Sequence, residues 1–367
     1  MFFTSRVHIP SFFKNIKFLK STSQSLLILL STFSAHATAS TIVVTLKPIY
    51  GLVAALTNGI TTPTLLSEGR GSTHTLSLSP SDIKTLSRAE LVIWVGESYE
   101  IMMAKPLQKA IPENALLTLE KVSGLKLYKQ RTGGLFAGHS CQCCHEDHTH
   151  IHDLHDHKDE HGHVPIPLPV YNDDDLKKHQ DIQPAAPIDG HFWLDIDNAK
   201  ICAHAIATKI IQLWPQHSEI ITLNLEKLNV ELDALKEQMK AQLALIKGKS
   251  ALIDHDSLQY IEKQFDFTIK GVLSEEPGME PSPKQITALK NKLGANIKEK
   301  LIKVFFYSGN AHTPAPKLLK NLTSKYAIRM APLDYVGDAL LKDVDSYQAC
   351  LKAIAAQLIA GFKETIA

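Results

Sequence analysis

Thr41–Leu46, TIVVTL, is a short apolar run rich in β-branched residues, the pattern of a strand buried on both faces. Lys47-Pro48 follows, then helical spacing over Ile49–Leu56 that stops at Asn58-Gly59, a good helix end. The alternation recurs outward from this unit. Ser79-Pro80-Ser81-Asp82 opens a helix over Ile83–Ala89, with proline early and an acid at the positive end of the helix. Leu91–Val95 (LVIWV) reads as a strand, Tyr99–Ala110 as a helix and Leu116–Leu119 as another strand. Strands alternating with helices imply a mostly parallel sheet covered on both faces.

Residues 131–189 break this pattern, being poor in periodic apolar residues and rich in His, Asp and Pro. Order resumes at His191-Phe192-Trp193-Leu194 and a helix over Asn198–Leu213. After Pro215, apolar residues from Ile221 and Leu223 to Ile246 predict one long helix over Ser218–Ile246. At 1.5 Å per residue it spans roughly 40 Å, enough to run along two lobes and join them. The second half repeats the alternation. Strands are expected at Ala251–Ile253, Thr268–Leu273, Lys303–Tyr307 and Ile328–Leu333, and helices at Leu258–Phe265, Lys284–Leu293, Lys317–Tyr326 and Tyr347–Phe362. The expected fold is α/β, with two lobes at 38–214 and 249–367, each a mostly parallel sheet flanked by helices. One long rigid helix within 215–248 joins them.

The chain's 367 residues suit two domains. Lys plus Arg is 39 and Asp plus Glu 38, for a net charge of +1. Residues 1–37 hold Arg6, Lys14, Lys17 and Lys20 and no acid, so the remainder is mildly acidic. That excludes nucleic acid as a partner, because a phosphate backbone demands a positive footprint. Residues 1–37 read as a secretory signal peptide: a basic polar start, the apolar run Ser25–Ser34, then Ala35-His36-Ala37 or Ala37-Thr38-Ala39 as a cleavage site. The apolar run is half the ~20 residues a spanning helix needs. The first cysteine is Cys141, so lipid anchoring at an N-terminal cysteine is not expected. The expected location is the periplasm, as a soluble protein.

Histidine is the abnormal count: 18, of which ten lie from His139 to His179. His145, His148, His150, His152, His155, His157, His161 and His163, with Cys141, Cys143 and Cys144, form a dense run of donors within a histidine-rich loop. Such a run offers many exchanging metal sites. It reads as a lure that passes metal on, an occupancy sensor or a solvated linker.

Four further donors lie near predicted strand ends or in loops: His74, His191, His255 and Asp334. Ligands collect at the carboxyl edge of open α/β sheets, and His255 and Asp334 directly follow strand runs. Three imidazoles with a carboxylate or water suit tetrahedral zinc. Separations of 117, 64 and 79 residues make no short motif, however, and a histidine in a loop is more often a surface residue.

The segment from His74 through Leu76, Leu78 and Ser79-Pro80-Ser81-Asp82, followed by Ala89–Gly96 (AELVIWVG), resembles the first-ligand segment of the zinc-uptake (ZnuA-like) binding proteins. These form the metal-binding cluster of ABC-transporter substrate-binding proteins. The resemblance continues through His191-Phe192-Trp193-Leu194, His255-Asp256 with Tyr260–Phe265, and Met330–Asp334, from about Thr41 to about Leu351. It implies His74 and His191 from the first lobe and His255 and Asp334 from the second, with Zn²⁺ bound as cargo in the cleft between them. Asp334 is expected either to bind metal directly or to hydrogen-bond a ligating histidine. The implied function is periplasmic capture of Zn²⁺ by a monomer and delivery to an inner-membrane ABC permease and its ATPase, with no enzymatic step. Three alternatives stand beside it: a periplasmic metal buffer built on the loop, a manganese-binding homologue, and a secreted zinc hydrolase. Manganese is disfavoured by imidazole-rich ligation and the absence of a carboxylate at Tyr307. A hydrolase would need a base, for which only Glu275 and Glu276 are placed; no His-Glu-x-x-His segment exists.

Overall fold

The computed structural model describes residues 41–66, 74, 76–131, 187–272, 302–308, 327–340 and 342–363. The signal segment, the donors of the histidine-rich loop, Glu275, Glu276 and the helices expected at 284–293 and 317–326 lie outside these residues.

Among the described residues, eight strands form two sheets. In the first, β1 (Ile42–Val44), β2 (Thr64–Leu65), β3 (Leu91–Trp94) and β4 (Leu116–Thr118) take the order β2-β1-β3-β4. In the second, β5 (Ser250–Ile253), β6 (Thr268–Val272), β7 (Ile302–Ser308) and β8 (Arg329–Leu333) take the order β6-β5-β7-β8. All pairings are parallel, with Val43 beside Val92 in one and Leu252 beside Phe305 in the other. Both sheets place the second and third strands in sequence on opposite sides of the first. The carboxyl ends of β1 and β3, and of β5 and β7, therefore open on the same edge, where ligands of open α/β sheets collect.

Helix α1 (Lys47–Leu56) starts at the Lys47-Pro48 pair, two residues before the sequence pattern places it, because proline is tolerated in the first turn. Helix α2 (Pro80–Leu86) likewise begins at Pro80. Ser79 caps it, with the Asp82 side chain reaching back to the Ser79 N–H at 2.7 Å. Helix α3 (Ile101–Ala110) starts two residues later than expected, leaving Tyr99 in the preceding turn. Helices α4 (Ile196–Leu213) and α5 (Ser218–Leu243) follow. The latter has 26 residues and spans about 39 Å. It buries Ile221, Leu228, Leu232, Leu235, Met239 and Leu243, while Leu223 is exposed. Two residues along a helix is about 200° of rotation, which turns Leu223 away from the side holding Ile221. Helices α6 (Gln259–Phe265) and α7 (Ser346–Phe362) belong to the second lobe.

The main core runs without interruption from Ile42, Val44 and Ile93 through α1, α4, α5 and α7 to Val304 and Phe306. A smaller core on the far face of the first sheet joins Val43, Val92 and Trp94 to α2 and α3. Helices α1 and α7 meet at Gly51, where an added Cβ would lie 2.5 Å from the Tyr347 backbone nitrogen. Lys47 adds a tie between lobes by donating to the Asp338 and Leu340 carbonyls.

Gly51→Ala is expected to cost about 1–3 kcal/mol, the usual cost of overpacking, read from a urea titration; an unchanged midpoint would mean that α1 and α7 tolerate separation. Glu100 is buried beneath the β3–α3 turn. Burial pushes its carboxyl up to about 7, against hydrogen bonds from the Thr45 hydroxyl and the Val95 and Gly96 N–H groups. The folded protein thus keeps a proton that the unfolded chain releases between pH 4.5 and 7, so stability declines as pH rises through that window, by at most about 3 kcal/mol. Glu100→Gln should flatten that decline in unfolding curves taken at pH 5 and pH 8.

Candidate metal centre

His74 lies between β2 and α2, His191 follows the Asp189-Gly190 turn, and His255 follows β5 by two residues. The structure brings these three together. Their ring centroids form a nearly equilateral triangle, 5.1, 5.4 and 5.6 Å on its sides. One nitrogen from each falls within 4.8 Å of the other two, and His74 Nε2 stands 3.3 Å from His191 Nε2. Tetrahedral zinc with bonds of about 2.0–2.1 Å separates its nitrogens by about 3.3 Å, so this spacing fits one shared ion.

Two carboxylates fix the ring orientations. Asp189 Oδ1 lies 2.8 Å from His191 Nδ1 and also accepts the His191 backbone N–H at 3.0 Å. Asp254 Oδ1 accepts the His255 N–H at 2.8 Å and lies 3.3 Å from its Nδ1. With each Nδ1 facing a carboxylate, each Nε2 faces the centre. The buried Nε2 of His255 has no hydrogen-bond partner within the described protein, which is costly unless a ligand meets it. The carboxylates are themselves held: Asp189 Oδ2 by the Gln259 side-chain amide at 3.0 Å, and Asp254 Oδ2 by the Ser308 N–H. Such outer partners orient ligating histidines and raise their basicity.

Burial pushes the His191 imidazole below its ordinary pKa, outweighing the hydrogen bond and charge of Asp189 that oppose it. Burial would raise Asp189 in turn, but the contacts from His191 and Gln259 prevail and hold it below the usual carboxylate range. At neutral pH His191 is therefore neutral, the form that binds metal. Aromatic rings wall the centre. Tyr99 lies 3.9 Å from His74, Trp193 5.4 Å from His191 and Tyr335 4.8 Å from His255, between ring centroids. Gly190 lets the chain pass beneath Tyr99, since a Cβ there would meet the Ser98 carbonyl oxygen and Tyr99 Cβ at 2.8 Å.

Asp334 directly follows β8, as expected, but it does not join the three-histidine group among the described residues. Its Oδ1 accepts the N–H groups of Gly337 at 2.8 Å and Asp338 at 3.1 Å, and its Oδ2 accepts that of Ala339 at 3.1 Å. Sequence reasoning passed over Asp189 and Asp254. Their signal was present: each stands one or two residues before a candidate histidine. The walls Tyr99, Trp193 and Tyr335 had no such signal. Cys202 and Cys350 are buried thiols.

No helix among the described residues is long and apolar enough to cross a membrane. A curated relative, the high-affinity zinc uptake system protein ZnuA of Brucella abortus, is 28% identical over 320 residues, covering 86% of this chain and 90% of its own. Among solved structures, a crystal structure of ZnuA superposes with a TM-score of 0.61 at 17% identity, covering 88% of this chain and 99% of that one. The periplasmic zinc-binding protein TroA of Treponema pallidum gives 0.61 at 15% identity, with 87% and 99% covered. These structures share the two-lobed α/β fold. The match to the family described as ZnuA, zinc-uptake complex component A, periplasmic, spans residues 42–361, and this chain belongs to that family.

Proposed function

We propose that this protein captures Zn²⁺ in the cleft between its lobes and delivers it to the permease and ATPase of an ABC importer, acting by binding and release without a chemical step. The observation that carries this reading is the convergence of three imidazole nitrogens from both lobes, with His74 and His191 3.3 Å apart. His74 and His191 come from the lobe of the first sheet and His255 from that of the second. A shift of one lobe against the other therefore removes one ligand and releases the ion. A partner can drive that shift only by binding the shifted state better, which is the role assigned to the permease.

Imidazole ligands favour zinc over manganese, whose harder ion prefers carboxylate and water oxygen. The fourth position falls to water or to Asp334, whose carboxylate already accepts three N–H groups of the 337–339 turn. Residues 1–37 serve as the export signal in this reading, leaving a periplasmic monomer. The donors from His145 to His163 serve as an accessory collector that raises local zinc near the cleft.

Chelator competition tests the assignment. The full chain and a version lacking residues 139–179 should each hold one tight zinc, while His74→Ala, His191→Ala and His255→Ala should each weaken it by more than about 100-fold. Tight binding that vanishes with the loop and survives all three substitutions would identify a metal buffer instead. Asp189→Ala should cost about 10–100-fold, the usual loss for an outer carboxylate partner. Asp334→Ala should weaken binding less than any of the three histidine changes if water completes the site. A loss as large as theirs would place Asp334 on the metal.

A further inference from the structure

Arg131 lies on the segment after β4 and reaches the opposite lobe. Its Nε donates to Asp256 Oδ2 at 2.8 Å, and its terminal nitrogen contacts Asp256 Oδ1 and, at 2.7 Å, Glu262 Oε2. The arginine side chain is 23% exposed and the two carboxylates 6% and 8%. Both acids belong to the second lobe. Asp256 is the immediate neighbour of His255, and Glu262, on α6, also accepts the N–H of Ile269 in β6.

The segment that carries Arg131 is tied the other way. The Gln130 N–H donates to the Pro187 carbonyl at 2.8 Å, Lys129 bridges antiparallel to Ile188, and the Asp189 N–H donates to the Tyr128 carbonyl at 2.8 Å. This pairing leads directly into Asp189 and His191. The guanidinium thus connects the mounting of His191 to the mounting of His255. A planar fork suits a carboxylate held by two parallel bonds, which a lysine cannot reproduce. Two nearby buried carboxylates without their cation repel each other and lose solvation, so the state in which the lobes part and water enters becomes favoured.

We propose that Arg131 is a positioning residue for metal release: it latches Asp256 and Glu262 across the lobe boundary, holds His255 in register with His74 and His191, and sets the rate at which zinc leaves. The inference rests on the reading of the three histidines as a zinc site. Neither Asp256 nor Glu262 need touch the metal for it to hold.

Zinc release into excess chelator, followed by stopped flow on the zinc-loaded full chain, tests it with Arg131→Gln, Arg131→Lys and, as a control on the site, His255→Ala. Release is expected to be about 10–100-fold faster in Arg131→Gln, with one zinc still bound per chain, and intermediate in Arg131→Lys, which keeps the charge and loses the fork. A purely structural role would lower the thermal midpoint of both variants and leave their release rates at the wild-type value, which overturns the proposal. Should Arg131→Gln fail to fold, the lysine variant decides: faster release supports the latch, and the wild-type rate overturns it. If His255→Ala holds zinc as tightly as the wild type, the three-histidine reading fails and the latch with it. If His255→Ala loses zinc while both arginine variants release at the wild-type rate, the site stands and only the latch fails.

Discussion

The buried carboxylate of Asp189 is the contact on which the rest of the centre depends. One oxygen holds both the ring and the backbone N–H of His191, and the other receives the amide of Gln259 from the opposite lobe. Its carbonyl accepts the Tyr260 hydroxyl at 2.9 Å, again from across the boundary. A charge buried this deeply persists only while its hydrogen bonds are satisfied. The donors that satisfy it come from both lobes. The orientation of His191 and the apposition of the lobes are therefore one structural condition.

The helices behind the cleft impose a matching constraint. Helix α1 packs on α7 at Gly51 with no room for a methyl group, and both lie on α5 in a core shared by the two sheets. Tyr347 of α7 donates to the Trp193 carbonyl at 2.7 Å, linking the base of the second lobe to the wall of the metal centre. Close-packed interiors transmit displacement rather than absorb it. In such a frame the packing of the helices, as well as the hydrogen bonds, keeps one nitrogen of each of the three histidines within 4.8 Å of the others.

Most of the fold was legible in the sequence because strands buried on both faces leave unbroken apolar runs, as in Ile42–Val44 and Leu91–Trp94. Strand β2 was missed because two residues with exposed Thr64 carry no periodicity. Tyr99 was read as the start of a helix, and this concealed its place against His74. The three histidines were legible only as a set, through their resemblance to a family, since each alone is a residue in a loop. For Asp334 the end of a strand indicated where the residue sits but not its partners: its carboxylate accepts the N–H groups of Gly337, Asp338 and Ala339.

The pairing of residues 128–130 with 187–189 also bears on how this chain can vary. The two ends of the intervening stretch are fixed as neighbours beside the cleft, so the centre is insensitive to how many residues lie between them. Even for a fully flexible connection, doubling its length adds only about 0.6 kcal/mol to the cost of closure. Insertions and deletions between 132 and 186 can thus accumulate without displacing His191.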